Sequence, residues 1–199
     1  MAQDMPVGRW ILDLETFQGF RDDRPKEEKW ELIGGRPVML PPPTLDHQRI
    51  SSECQALINS RLAKSKPDWS ADMEIGLLVP EDDTFNPEPD VTVIDADTEP
   101  GQIYATKFYF VVEVRSPNDR DWVLEAKLRY YNQHANCIGV MFVNQDQIAA
   151  ELYLRANNWQ KADLSQPDDR IDIPEIGDIG PLAELYRRTR LYPKKSASK

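Results

Sequence analysis

Glu113 stands in the middle of Phe108-Tyr109-Phe110-Val111-Val112-Glu113-Val114, a run apolar enough to be buried on both faces of a sheet. An ionised carboxylate buried without compensation is very costly, so Glu113 requires a partner, a metal or a proton. One account is a pair with Arg115, two residues on and on the same face of a strand. The other involves Asp90, which follows Pro89 and opens the run Asp90-Val91-Thr92-Val93-Ile94. Alone, an Asp in that place reads as a turn or strand-edge residue. Taken with Glu113 it reads differently, because the connection 95–106 lets the two strands lie side by side and brings the two carboxylates together. Close carboxylates repel and perturb each other's protonation unless a divalent cation sits between them. Mg²⁺ suits such a site, since it takes one or two carboxylates and keeps waters.

Three further residues bear on this chemistry. Lys127 lies four residues after Val123 and one turn before Tyr131, within or beside the inward stripe of a helix. Its stem can pack while its head reaches water, or its ammonium can reach Glu113 and balance charge developing there. Glu31, within Trp30-Glu31-Leu32-Ile33, is an acid in an apolar strand segment, and the outward face of an edge hairpin accounts for it. His47, beside Gln48 at a helix start, reads by itself as a surface or capping residue.

Other chemistries lack their residues. The chain has two histidines and two cysteines, too few and too scattered for a structural zinc site. No glycine-rich phosphate loop and no G-x-S-x-G is present. No apolar run approaches the roughly 20 residues of a membrane-spanning helix, and residues 1–7 lack the pattern of a secretory leader. Cys54 and Cys137 read as buried thiols in a reducing compartment, so the expected location is the cytoplasm. The net charge is -10, yet residues 187–199 carry six Lys/Arg and no acid; removing those six leaves residues 1–186 at -16. Affinity for phosphate comes largely from Lys and Arg, so this balance weighs against nucleic-acid binding.

The elements that must position these residues follow from periodicity. A short helix is expected over 13–20, then a hairpin pairing 30–33 with 36–40 across Gly34-Gly35, which supplies the positive φ angles of a tight turn. A helix over 45–63 carries Ile50, Cys54, Leu57, Ile58 and Leu62 on one stripe. Met73, Ile75, Leu77 and Val79 alternate as a strand. Strands follow over 90–94 and 107–115, the second with Phe108, Phe110, Val112 and Val114 on one face and Tyr109, Val111, Glu113 and Arg115 on the other. Residues 116–119 end that strand and offer caps to a helix over 120–134. An apolar strand 137–143 then pairs back with 148–154. The sum is an α/β fold, one domain over residues 1–186 with a mixed central sheet flanked by helices, followed by a frayed basic tail over 187–199.

Pro89-Asp90 followed by Glu113-Val114-Arg115 resembles the PD-(D/E)XK nuclease signature, with Arg where Lys is usual. The surrounding text is similar to one branch, the Uma-type restriction endonucleases. It runs from Trp30-Glu31-Leu32-Ile33-Gly34-Gly35 through the proline-rich loop and His47-Gln48 to Pro89-Asp90-Val91. It continues as Val112-Glu113-Val114-Arg115-Ser116-Pro117 and a helix holding Lys127-Leu128 and Tyr131. The resemblance implies a restriction endonuclease-like fold with an N-terminal β-hairpin, binding Mg²⁺ or Mn²⁺ and hydrolysing DNA, as a homodimer. It implies Asp90, Glu113 and the Val114 carbonyl as metal ligands, Lys127 as the catalytic lysine and Glu31 as an additional catalytic acid. Arg115 and His47 would meet the substrate. Arg115 departs from the superfamily pattern: it cannot give up a proton at working pH, so it can clamp a phosphate but cannot act as a base.

Overall fold

The computed structural model describes residues 11–79, 81–117 and 119–193. Helix α1 (Leu14–Asp22) starts at Asp13, whose carboxylate accepts the Thr16 amide. Strands β1 (Lys29–Ile33) and β2 (Arg36–Leu40) form the expected hairpin, with Ile33 facing Arg36 across Gly34 and Gly35 at φ 57° and 72°. Helix α2 (Leu45–Ser65) is capped by the Thr44 hydroxyl. After it come β3 (Trp69–Met73), β4 (Gly76–Leu77), β5 (Val91–Asp95), β6 (Tyr104–Ala105) and β7 (Phe110–Arg115). Helix α3 (Asp121–Gln133) leads to β8 (Gly139–Asn144), β9 (Ala150–Leu154) and β10 (Lys161–Leu164). The hairpin β11 (Arg170–Ile173) and β12 (Gly177–Pro181) precedes a short 3-10 turn, Leu182–Tyr186.

Six strands build the central sheet in the order β10-β9-β8-β7-β5-β3. Only β7 and β8 are parallel, and α3 makes the crossover that a parallel pair requires. Alternation along the strands loads both faces. On one side α2 lays Ile50, Cys54, Ile58 and Leu62 against Val91, Val93, Phe110, Val112, Val114, Met141 and Val143. On the other, Tyr130 and Tyr131 of α3 pack on Val111, Val140 and Phe142. Cys54 and Cys137 are free and lie in opposite clusters. Among the described residues no helix is long and apolar enough to cross a membrane.

Several expectations are corrected. The alternation Met73 to Val79 is not one strand: β3 begins at Trp69, the chain turns at Glu74 with φ 54°, and β4 pairs in parallel with β6. Phe108 does not share a face with Phe110, nor Tyr109 with Val111. Phe108 packs on the α3 side and Tyr109 on the α2 side. The Tyr109 amide donates to Val93 while its carbonyl accepts from Ile138, so its two polar groups serve opposite neighbours and the alternation restarts at Phe110. Among the described residues the loop before α3 does not cap it: Arg120 holds the cap position with no side-chain bond, and Asp119 instead accepts from the Ser116 amide and hydroxyl, each at 2.8 Å. Beyond Leu154 the periodicity suggested no elements, yet Ile171, Ile173, Ile176, Leu182, Leu185 and Tyr186 complete the larger core. Of the basic tail, Arg188 bonds Glu53 at 2.6 Å and Ser52 at 2.8 Å, and Leu191 packs on that core; residues 194–199 lie outside the described residues.

Candidate active site

The antiparallel register of β5 and β7 pairs Val91 with Val112, which sets Asp90 beside Glu113 and Val114. The Asp90 carboxylate completes the ladder in place of a strand residue, its Oδ2 accepting the Val114 amide at 2.6 Å. Its Oδ1 lies 2.6 Å from His47 Nε2. His47 reaches it from the first turn of α2, which Thr44 ties down twice. The Thr44 hydroxyl accepts the His47 amide and donates to Gln145, whose own amide donates to the Arg115 carbonyl.

Glu113 points to the other side, under α3. Lys127 and Tyr131 are one turn apart on that helix and converge on it. The Lys127 ammonium is 3.1 Å from each Glu113 oxygen, and the Tyr131 hydroxyl donates to Oε1 at 2.6 Å. The same ammonium is 2.8 Å from Glu31 Oε1, which also accepts the Glu88 amide at 2.7 Å. Glu31 is therefore not the outward face of an edge hairpin; it is fully buried, because β1 turns that side toward α3. Nor does Glu113 pair with Arg115, whose guanidinium reaches across β8 to Glu151 at 3.3 Å.

Two carboxylates thus share one ammonium in a site nearly sealed from water, with Asp90 next to it. Burial first, opposed by Lys127 and reinforced by Glu31 and Asp90, pushes the Glu113 carboxyl up from its ordinary 4.5 to about 7. Burial by itself would discharge Lys127, but Glu113 and Glu31 outweigh it and hold the ammonium protonated. Burial pulls His47 down, but Asp90, Asp119 and Glu113 together outweigh burial and raise it.

A model of the family described as "Uma2: Putative restriction endonuclease" matches residues 14–180. The chain belongs to the Uma2 family. The crystal structure of a putative nuclease belonging to DUF820 from Anabaena variabilis ATCC 29413 has the same fold. It superposes with a TM-score of 0.70 at 19% sequence identity, covering 88% of this chain and 98% of that one. None of the curated proteins matches.

The Uma2 site fits a hard divalent cation in its donor chemistry. Among the described residues no three His, Cys, Asp or Glu side chains stand grouped to hold an ion. Two neighbouring carboxylates with main-chain and water oxygens are nonetheless what Mg²⁺ takes. In an extended strand a residue's N–H and C=O leave by one edge, so the Val114 carbonyl shares the edge where Asp90 takes the amide. The charge balance agrees: among the described residues Glu31 Oε2 is buried with no hydrogen-bond partner, and Glu31 and Glu113 share the Lys127 ammonium between them.

Two clefts, about 300 and 220 Å³, meet at Arg115 where β7 ends. Ser116, Asp119 and Asp146 line the first, Glu125, Glu151 and Tyr153 the second, and Asp121 both. Glu113 and Lys127 line neither, so the buried cluster lies beside these openings rather than in them. Gln145 and the Glu88 amide escaped sequence reasoning, since nothing in their spacing marks them. Tyr131 was visible as a helix position four residues after Lys127, but its bond to Glu113 was not.

Proposed function

We propose that this chain is a metal-dependent endonuclease that hydrolyses DNA phosphodiester bonds. The observation that carries the reading is Lys127 ion-paired with both Glu113 and Glu31 beside Asp90, which holds the Val114 amide, in a member of this family. Asp90 and Glu113, with the Val114 carbonyl, would hold Mg²⁺ or Mn²⁺. When bound, the ion would supply Lewis acidity toward a phosphate oxygen and a more acidic water beside it.

The chain's own residues do the rest. Lys127 orients the attacking water and offsets charge that develops on the phosphate. Glu31 fixes Lys127 from behind, so that the ammonium stays on station while Glu113 serves the ion. Arg115 stands at the mouth of both clefts and clamps a neighbouring phosphate through its fork of donors. His47 holds Asp90 and borders the substrate path. Two copies acting together would suit the two strands of DNA, a state that light scattering with and without DNA measures.

The test is cleavage of supercoiled plasmid with Mg²⁺ or Mn²⁺ by wild type, Asp90→Asn and Glu113→Gln, each checked for folding by thermal melting. Wild type should cut, and each variant should lose at least about a hundredfold of the rate, in the range of lost electrostatic stabilisation at an active site. Either variant cutting at the wild-type rate would remove that residue from the site.

One second reading has its own observations. The charge of -16 on residues 1–186, with Asp119, Asp121 and Asp146 around the larger cleft, suits a binding or regulatory module that keeps the fold without turnover. Wild type that neither cuts nucleic acid nor binds either ion would favour it.

A further inference from the structure

Glu113 receives two donors from α3, and they are not equivalent. The Lys127 ammonium is 3.1 Å from both oxygens and donates its hydrogen bond to Oε2. It is also shared, lying closer to Glu31 than to Glu113. A carboxylate held only by Lys127 could rotate about its terminal bond, a broad and roughly two-fold torsion, without losing the ion pair. The Tyr131 hydroxyl prevents that rotation by pinning the other oxygen, donating to Oε1 at 2.6 Å. Its ring has no freedom to follow a rotating carboxylate, because it is fully buried and set edge-on to Phe108 at 6.0 Å between centroids.

We infer that Tyr131 is a positioning residue: by pinning Oε1 while Lys127 holds Oε2, it fixes the plane in which the Glu113 carboxylate would meet a cation held with Asp90. The inference rests on the cation-binding reading above. Groups that hydrogen-bond a ligating carboxylate fix its orientation, and losing one costs roughly ten- to a hundredfold in metal affinity. Tyr131 therefore acts through Glu113 and touches neither ion nor substrate. Lys127 keeps its ion pairs whether or not the hydroxyl is present, so the lesion from removing the hydroxyl is one of orientation and not of charge.

The experiment is calorimetric titration of Mn²⁺ into wild type, Tyr131→Phe and Phe108→Leu, with thermal melts of all three without metal. Phe108→Leu disturbs the packing of the same ring and leaves its hydroxyl, so it reports what a purely structural fault does. The expected result is tenfold or greater weakening of Mn²⁺ in Tyr131→Phe, with Phe108→Leu melting lower but binding within about threefold of wild type. In plasmid cleavage, Tyr131→Phe should need correspondingly more Mn²⁺ for half its maximal rate, with the plateau at saturating Mn²⁺ kept within about threefold. Equal Mn²⁺ affinity in wild type and Tyr131→Phe would overturn the inference while leaving the cation reading intact. Equal weakening in Tyr131→Phe and Phe108→Leu would overturn it too, by assigning the effect to packing. Wild type that fails to bind Mn²⁺, alone and with DNA, would overturn the cation reading itself, before any variant is compared.

Discussion

Lys127 bridges Glu31 and Glu113, its ammonium 2.8 Å from one carboxylate and 3.1 Å from the other, with all three side chains nearly sealed from solvent. The two acids come from separate sheets, a hairpin strand and the central strand β7, and Lys127 of α3 spans them. One cation therefore ties the hairpin strand to β7, alongside the main-chain bonds of Leu32 with Asn86, and balances charge in the site.

Removing that cation should be expensive. Lys127→Met leaves two buried carboxylates facing each other, and breaking a buried pair in this way costs about 3–5 kcal/mol. Urea unfolding of Lys127→Met should show that loss at unchanged denaturant slope. Adding Glu113→Gln to it should recover part of the loss, because one of the two orphaned charges is then gone. A double variant less stable than Lys127→Met would contradict this account.

The Glu113 carboxyl makes stability depend on pH. In cation-free buffer it stays protonated up to about 7 in the folded protein and only to its ordinary 4.5 in the unfolded chain. The folded state then binds more protons between those values, so this group's contribution to stability falls as pH rises through the window. Glu113→Gln removes the effect. Its stability relative to wild type should improve by up to about 3 kcal/mol between roughly pH 4.5 and pH 7.5, at roughly 1.4 kcal/mol for each pH unit that separates the folded and unfolded values. Paired urea curves across that range measure it, and a relative stability independent of pH would count against a raised Glu113.

His47 and Asp90 give a prediction about a cation rather than an acid. A histidine whose folded pKa is raised contributes stability that is complete below its unfolded value of 6.5 and is lost as pH rises through the folded value. The His47 ring, followed by NMR, should titrate above 6.5, and Asp90→Asn should bring it down. His47 titrating lower than 6.5 in wild type would mean that burial wins over Asp90.

Thr44 anchors the end of α2 that carries His47. Thr44→Ala should cost about 1 kcal/mol through the lost cap, whereas Thr44→Ser should stay within a few tenths. The melting temperatures of the two variants, compared with wild type, decide it. Equal losses would mean that the Thr44 methyl, not its hydroxyl, is what α2 requires.

Local features were legible in the chain. The Gly34-Gly35 turn, the stripe from Ile50 to Leu62 and the apolar run around Val111 each declare themselves within one element, because turn angles and side-chain periodicity are set by neighbours. Tyr109 shows the limit: alternation put it beside Val111, but its polar groups are divided between β5 and the chain entering β8, and no pattern within the strand records that. The end of the chain was illegible for a related reason, since Ile171, Ile176 and Leu185 find their partners in the core around α2 and the sheet and not near themselves.

The sequence by itself determined which groups the protein has for chemistry, their order, and the resemblance that their spacing carries. It marked Glu113 as a charge in need of a partner, because a run of that composition belongs in a core. Tertiary structure decided who the partner is. Arg115, two residues away, lost to Lys127, fourteen residues away, because the β7–α3–β8 crossover lays the helix over Glu113 while Glu151 on β9 draws Arg115 aside. Likewise Glu31 became a buried partner of Lys127 when the hairpin packed on α3. A buried charge announces that it must be compensated; sheet register and helix packing choose the atom that compensates it.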